Sequence, residues 1–355
     1  MVGSEKRGTE IRQFILEHVG EHPVDIVTLT METFGISRQG VHRHIQTLRK
    51  QKVLTIRGTT RKRRYSRRPR VEWLNNYSLS TIAGEDVIWS HDIRPLLGAL
   101  PENVLDILQY GFTEMLNNAI EHSAGKNVWV SVEQTGLHTK FMIHDDGEGI
   151  FKKLKRELDL ADERHAVLEL SKGKVTTDPA HHTGEGIFFT SRMFDGFFIH
   201  AGNIWFVHHP DKDEDEPLDW IFEEREGTDG TLVCMELSHN ASHTPKEVFD
   251  QFTSEGDYGF TRTVVPVRLA QYGDEKLVSR SQAKRLLAGI DRFKIVMLDF
   301  VGVATIGQAF ADEVFRVFVE AHPEIDLHVE HVNASVQQMI RHVSGAEAAI
   351  LLGQE

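Results

Sequence analysis

The chain has 355 residues, 40% hydrophobic and 26% charged, which is enough to bury the cores of two or three ordinary domains. No apolar run approaches the roughly 18 residues that a membrane helix needs, the first residues lack the apolar stretch of a secretory signal, and a single cysteine, Cys234, excludes an internal disulfide framework. The expectation is a cytoplasmic protein without membrane association, in which a net charge of -13 conceals one basic block: residues 36–70 hold 13 Lys or Arg and no Asp or Glu, the footprint of an element that meets a polyanion.

In chain order, residues 9–19 place Ile11, Phe14, Ile15 and Val19 at helical spacing, and Gly20 to Pro23 ends that helix. A second helix is predicted from Val24 to Phe34, with Ile26, Leu29 and Phe34 inward and Gly35 closing it. Ser37 is suited to N-cap a third helix through Lys50, whose apolar stripe is Val41, Ile45 and Leu48. A strand at Val53–Arg57, a basic tip at 58–64 and a return strand around Tyr65 follow. This order resembles a winged helix-turn-helix DNA-binding domain over residues 1–70. The resemblance implies DNA as the partner of residues 36–70, with the third helix in the major groove and the tip on phosphates. Arg38, Gln39 and Arg43 are then the base-reading candidates, because Arg suits guanine and Gln suits adenine. Arg61, Lys62, Arg63 and Arg64 would meet the backbone. Some modules of this kind make only protein contacts; the unbroken positive charge favours DNA here.

Residues 103–123 carry Leu105, Leu108, Phe112, Met115, Leu116 and Ala119 as one helical face, with Glu114, Asn118 and Glu121 together on another. Strands at Val128–Val132 and Lys140–Ile143 lead into HDDGEGI at 144–150. HTGEGIFFTSRMFD at 182–195 and GTDGTLVCMEL at 227–237 come later, and in the latter Cys234 reads as a buried strand thiol. Each piece alone is weak. Their order is an E-x-x-x-N-A helix, a D-x-G-x-G turn after a strand, a G-x-G before a helix and a G-T opening a late strand. Together these resemble the GHKL (Bergerat) ATPase superfamily over residues 84–240, which implies an α/β sandwich that binds ATP and Mg2+. By that resemblance Asn118 offers the magnesium an uncharged oxygen, and Glu114, one turn before it, is the general base. Asp145 accepts from the adenine amino group, a contact that guanine cannot supply. Gly147 and Gly149 let the backbone pass close to the nucleotide, Gly184 and Gly186 present N–H groups to phosphates, and Thr231 lies near the adenine.

Between Gly149 and Gly184 the resemblance places a lid, from which Lys172 or Lys174 would reach the γ-phosphate; a solvated loop is the alternative. His181 and His182 are further phosphate candidates, but their neighbours lack metal-ligand spacing. The segment before the pocket is too short for a dimerising helix pair with a phosphoacceptor His, so a sensor histidine kinase is not expected.

An acidic run, DKDEDEP, occupies 211–217. Residues 241–262 read as a linker and 263–355 as a small α/β domain, completing a multidomain α+β chain. Its predicted elements are helix Ser279–Ile290, strand Lys294–Phe300, helix Phe310–Glu320, strand Asp326–His331 and helix Val336–Val343. The run VMLDFVGVATIGQAF resembles the core of STAS domains, and more closely a STAS-like family of unassigned function. Regulatory STAS domains carry a phosphorylated serine after the Asp-ended strand. Aligning Asp299 and Gly302 puts Gly307, Gln308 and Ala309 there, with Thr305 only a nearby substitute. Arg280 and Asp312 are expected to form a structural salt bridge.

The resulting expectation is an ATP-binding, slowly hydrolysing DNA-binding regulator whose nucleotide state controls the arrangement of domains or subunits. It leaves room for a homodimer and for a protein partner at the STAS-like domain. A serine/threonine protein kinase of anti-sigma type, acting on a separate partner, and a DNA-transaction ATPase are the alternatives.

Overall fold

A computed structural model describes residues 2–59, 62–176, 183–209, 219–254, 259–271 and 275–344. Arg61, His181, His182 and the acidic run at 211–217 lie outside the described residues. The chain is mixed α+β, with three sheets among the described residues.

Three helices and a hairpin open the chain: α1 (Val2–His18), α2 (Ile26–Phe34), α3 (Arg38–Lys50), β1 (Leu54–Arg57) and β2 (Arg64–Arg67). The helix ends follow local chemistry. Gly35 closes α2 in the left-handed region at φ 61°, and the Ser37 hydroxyl accepts the Gly40 N–H at the start of α3. Ile11, Ile15, Val19, Ile26, Val41, Ile45, Leu48, Leu54 and Tyr65 form a core of their own, separate from the rest of the protein. Arg67 joins this unit to the body. Its guanidinium donates to Leu16 O at 2.7 Å and Glu17 O at 2.8 Å, and meets His138 Nδ1 at 2.9 Å.

The second unit contains β3 (Val71–Ser78), α4 (Glu85–Ile88), α5 (Arg94–Leu97), α6 (Glu102–His122), β4 (Asn127–Gln134) and β5 (His138–Asp145). It continues through α7 (Ile150–Glu157), α8 (Glu163–Lys172), α9 (Gly186–Met193), β6 (Gly196–His208) and β7 (Asp219–Ser238). The strands form one antiparallel sheet in the order β3-β4-β5-β7-β6. Strict alternation along β4 and β5 turns Val128, Val130, Val132, Phe141 and Ile143 onto the helices. There they meet Leu108, Phe112, Met115 and Leu116 of α6. Cys234 in β7 is buried, and burial pushes its thiol pKa up to about 11.

Residues 241–262, expected as a linker, hold α10 (Pro245–Gln251) and the first residue of β8 (Arg262–Pro266). A capping box between Thr244 and Glu247 starts α10. Phe249 then packs 4.5 Å from Phe189 and 5.6 Å from Tyr110, ring centre to ring centre. The third unit follows with α11 (Arg280–Leu287), β9 (Ile295–Asp299), α12 (Gln308–Asp312), α13 (Val319–Ala321), β10 (Asp326–Glu330) and α14 (Ala334–Ser344). Its three strands are parallel, in the order β10-β9-β8. Its core residues Val265, Leu286, Val296, Leu298, Phe310 and Val336 are continuous with those of the second unit. The second and third units thus share one hydrophobic body, whereas the basic N-terminal unit has its own. Among the described residues, no helix is long and apolar enough to cross a membrane.

Candidate functional site

Against the helix side of the five-stranded sheet lies a cavity of about 300 Å³. Of the residues singled out by pattern, it is lined by Glu114, Asn118, Asp145, Gly149, Gly184, Gly186 and Thr231. They come from segments as much as 117 residues apart, so their meeting is a property of the fold. Glu114 and Asn118 share a face of α6 because they are one turn apart.

Asp145 is the last residue of β5 and only 4% exposed. Its Oδ1 accepts the Gly147 N–H at 2.9 Å and the Thr231 N–H at 3.3 Å. Burial pushes its carboxyl pKa up, against the pull of those two N–H groups. Asp146, its neighbour, is turned away. It takes the Lys126 N–H at 2.6 Å, the Asn127 N–H at 2.8 Å and the Asn127 side chain at 2.8 Å. The Asn127 bonds lead in pulling its pKa down to about 2. One aspartate of the pair faces the cavity and the other braces the turn.

That division gives a pH prediction. A carboxyl held low in the folded state stabilises fully above its ordinary pKa, and that contribution fades as pH falls through the folded value. Asp146→Ala is expected to lower the urea midpoint at neutral pH, and its deficit from wild type is expected to shrink as pH drops towards about 2. A deficit equally large at both ends, followed by tryptophan fluorescence, would mean that the bonds to Lys126 and Asn127 do not matter.

Close approach to backbone requires Gly147, and Gly186 leaves room for the Glu114 carboxylate, which a larger residue would displace. A Cβ on Gly147 would lie 2.0 Å from Ser123 O, and one on Gly186 would lie 2.0 Å from Glu114 Oε2. Gly149 and Gly184 have φ of 85° and 71°, values that other residues rarely adopt. Thr231 Oγ1 accepts the Ile150 N–H at 3.0 Å, tying β7 to the first turn of α7.

Lys172 and Lys174, expected on a lid, are placed elsewhere. Lys172 is 1% exposed, and its ammonium points into the third unit, towards the carbonyls of Arg285 and Ala288. Lys174 donates to Arg292 O at 3.0 Å and sits 4.9 Å above the Phe293 ring. Neither lines the cavity: Lys172 is drawn to Glu169 three residues before it and to two carbonyls of the third unit, and Lys174 to a carbonyl 118 residues further along the chain. The lysine that does line it is Lys153 on α7, whose Nζ donates to His122 O at 2.9 Å. Pattern reading missed it, although FKKLKRE directly after D-x-G-x-G was a visible signal. Glu185, also missed, lines the cavity too, and burial pushes its carboxyl pKa up.

On the N-terminal unit, Arg38, Gln39 and Arg43 are exposed on α3, and Lys62, Arg63 and Arg64 are exposed at and beside the hairpin tip. The pKa of His42 is lowered first by burial, then by Arg38 and by Arg63.

In the third unit, Gly307 is the N-cap of α12, and Thr305 is exposed nearby. Arg280 meets Asp312 at 3.3 Å on the surface. Asp299, Glu330 and His331 bring ligand-type atoms within 4.8 Å of one another. The Asp299 carboxylate there is already engaged by the Val301 N–H at 3.0 Å and the His331 ring at 2.9 Å.

No curated protein matches the chain. Residues 282–337, from α11 through β9 and β10 into α14, match the family model described as a STAS-like domain of unknown function (DUF4325), in agreement with the STAS-like character read from VMLDFVGVATIGQAF.

Proposed function

We propose that the chain is an ATP-binding, DNA-binding regulator, with a winged helix-turn-helix in residues 1–70 and a Bergerat-type ATP pocket in residues 84–240. The observation that carries this reading is the gathering of Glu114, Asn118, Asp145 and Thr231 around one cavity with two tight glycine turns. The residue types suit Mg-ATP. Asp145 would offer a buried acceptor to the adenine amino group, and Asn118 would offer a magnesium ion an uncharged oxygen, the ion supplying charge neutralisation at the phosphates. The N–H groups at Gly184 and Gly186 and the Lys153 ammonium face the polyphosphate. In hydrolysis, water attacks the γ-phosphorus, the bond to the bridging oxygen of ADP breaks, and Glu114 takes the water's proton.

The basic face of α3 and the hairpin binds DNA in this reading, and nucleotide state alters how that face is presented. A near-complete swing between two arrangements needs about 5.5 kcal/mol of preference for one of them, so a partial effect of ATP is the more modest expectation. The test is DNA affinity with and without Mg-ATP in wild type and in Asn118→Ala. ATP is expected to change the affinity of wild type and leave the variant unmoved; equal affinity in all four cases would remove the switch. Alanine at Lys62, Arg63 and Arg64, the cations that would meet the DNA backbone, is expected to flatten the log–log salt dependence by about 0.9 for each phosphate that is no longer neutralised. An unchanged slope would place the DNA elsewhere.

A further inference from the structure

We infer that Lys172 is a positioning residue for the nucleotide cavity: it fastens the chain segment that forms one cavity wall to the STAS-like unit, so that this unit sets nucleotide affinity. This rests on the proposed ATP site.

Lysine is almost never fully buried unless it is paired. The Lys172 ammonium has three protons, and three acceptors surround it: Glu169 Oε1 at 2.6 Å, Ala288 O at 2.8 Å and Arg285 O at 3.2 Å. The two carbonyls belong to the C-terminal end of α11, where the aligned peptide dipoles favour a cation. The main chain of Lys172 is held as well, since its carbonyl accepts the buried Thr263 hydroxyl of β8 at 2.7 Å. Two residues on, Lys174 and Arg292 grip one another reciprocally. Lys174 Nζ donates to Arg292 O at 3.0 Å, and Arg292 Nη1 donates to Lys174 O at 2.8 Å. Gly173 lies between them against Phe260, where a Cβ would stand 2.4 Å from the ring.

This grip is in immediate sequence contact with the cavity. Leu170 lines it two residues before Lys172, and Val175 and Thr176 line it directly after Lys174. Val175 N–H donates to Gly184 O at 3.1 Å, so the wall is also joined to the glycine turn that leads into α9. With at most about 3.6 Å of reach per residue, no slack remains between the grip and the wall. A second route runs through aromatic rings. Phe188 of α9 packs 4.4 Å from Phe260, which packs 5.0 Å from Phe293 beside β9. Whatever shifts the end of α11 therefore shifts the wall, and a ligand that orders the wall must, by linkage, tighten the hold on the STAS-like unit.

The experiment compares the full chain with the double variant Lys172→Met, Glu169→Gln, which removes both charges of the buried pair together, and with the milder Thr263→Val. Mg-ATP affinity is measured by calorimetry, thermal midpoint by fluorescence, and hydrogen exchange of residues 170–176 and 284–289 with and without ATP. The double variant is expected to lose about tenfold in affinity and, because Arg285 O and Ala288 O lose their donor, to melt lower than wild type while staying folded at the assay temperature; Thr263→Val is expected to lose a smaller factor of affinity. In wild type, ATP is expected to slow exchange at residues 284–289, although none of them lines the cavity. Wild-type affinity in Thr263→Val and in a folded double variant, or ATP protection that stops at Thr176, overturns the inference alone. A wild type that does not bind Mg-ATP overturns the nucleotide reading and the inference with it.

Discussion

Asp145→Asn is expected to weaken Mg-ATP binding by roughly 10- to 100-fold while leaving the fold intact, the span of a hydrogen bond to a charged group at about 1.5–3 kcal/mol. The asparagine has the same size, and its oxygen can still accept the Gly147 and Thr231 N–H groups that Asp145 Oδ1 accepts at 2.9 and 3.3 Å. Its amide nitrogen, however, would turn a donor towards the adenine amino group of the proposed nucleotide, which is also a donor. Asp145→Ala is expected to lose the nucleotide too and to lower stability in addition, because two N–H groups beside a residue only 4% exposed lose their acceptor. Calorimetric titration with ATP and with GTP, set beside unfolding curves, separates the two effects. If Asp145→Asn bound ATP as tightly as wild type, the adenine would not be read by this carboxylate.

Gly230→Ala is expected to cost about 3 kcal/mol of stability and to abolish nucleotide binding. Gly230 has φ 73°, and a Cβ on it would lie 1.8 Å from Asp145 O and 2.6 Å from Asp145 C. A left-handed conformation costs a non-glycine residue about 1–2 kcal/mol. The clash adds a similar amount, because its partner is backbone at the end of β5 and cannot rotate away. Movement there displaces Asp145 and Thr231 together. Gly202→Ala is the control: its φ is 57°, but the nearest atom to its Cβ is Glu163 Oε2 at 3.5 Å, so only the conformational cost of about 1 kcal/mol applies. Denaturant midpoints compare the two, and equal losses would mean that the close approach to Asp145 is unimportant.

Much of the local architecture was legible in the residues. Helices α1, α2, α3 and α6 announce themselves by 3.6-residue periodicity, and Ser37 and Gly35 mark their ends by chemistry that acts within four residues. The alternation of β4 and β5 is equally plain. Strand β3 was not legible, because its outward residues Leu74 and Asn76 follow no apolar alternation. Strand β8 was missed because a five-residue segment ending in Pro266 reads as irregular until its parallel partner β9 is known. Helix α10 was hidden in an apparent linker, since its aromatic Phe249 has meaning only beside Tyr110 and Phe189.

The sequence by itself determined which residue types were available to a site: Glu114 and Asn118 one helical turn apart, and the glycines in turns that admit nothing larger. These are consequences of helix pitch and backbone sterics, which need only near neighbours. Tertiary structure alone decided where the side chains went. It turned Asp145 into the cavity and Asp146 onto Asn127, brought Lys153 to the cavity, and turned Lys172 away from it, into the end of α11. A long cationic side chain settles where its acceptors are; Glu169, three residues before it, is local, but the two carbonyls that draw Lys172 onto α11 lie 113 and 116 residues away, beyond anything that local periodicity encodes.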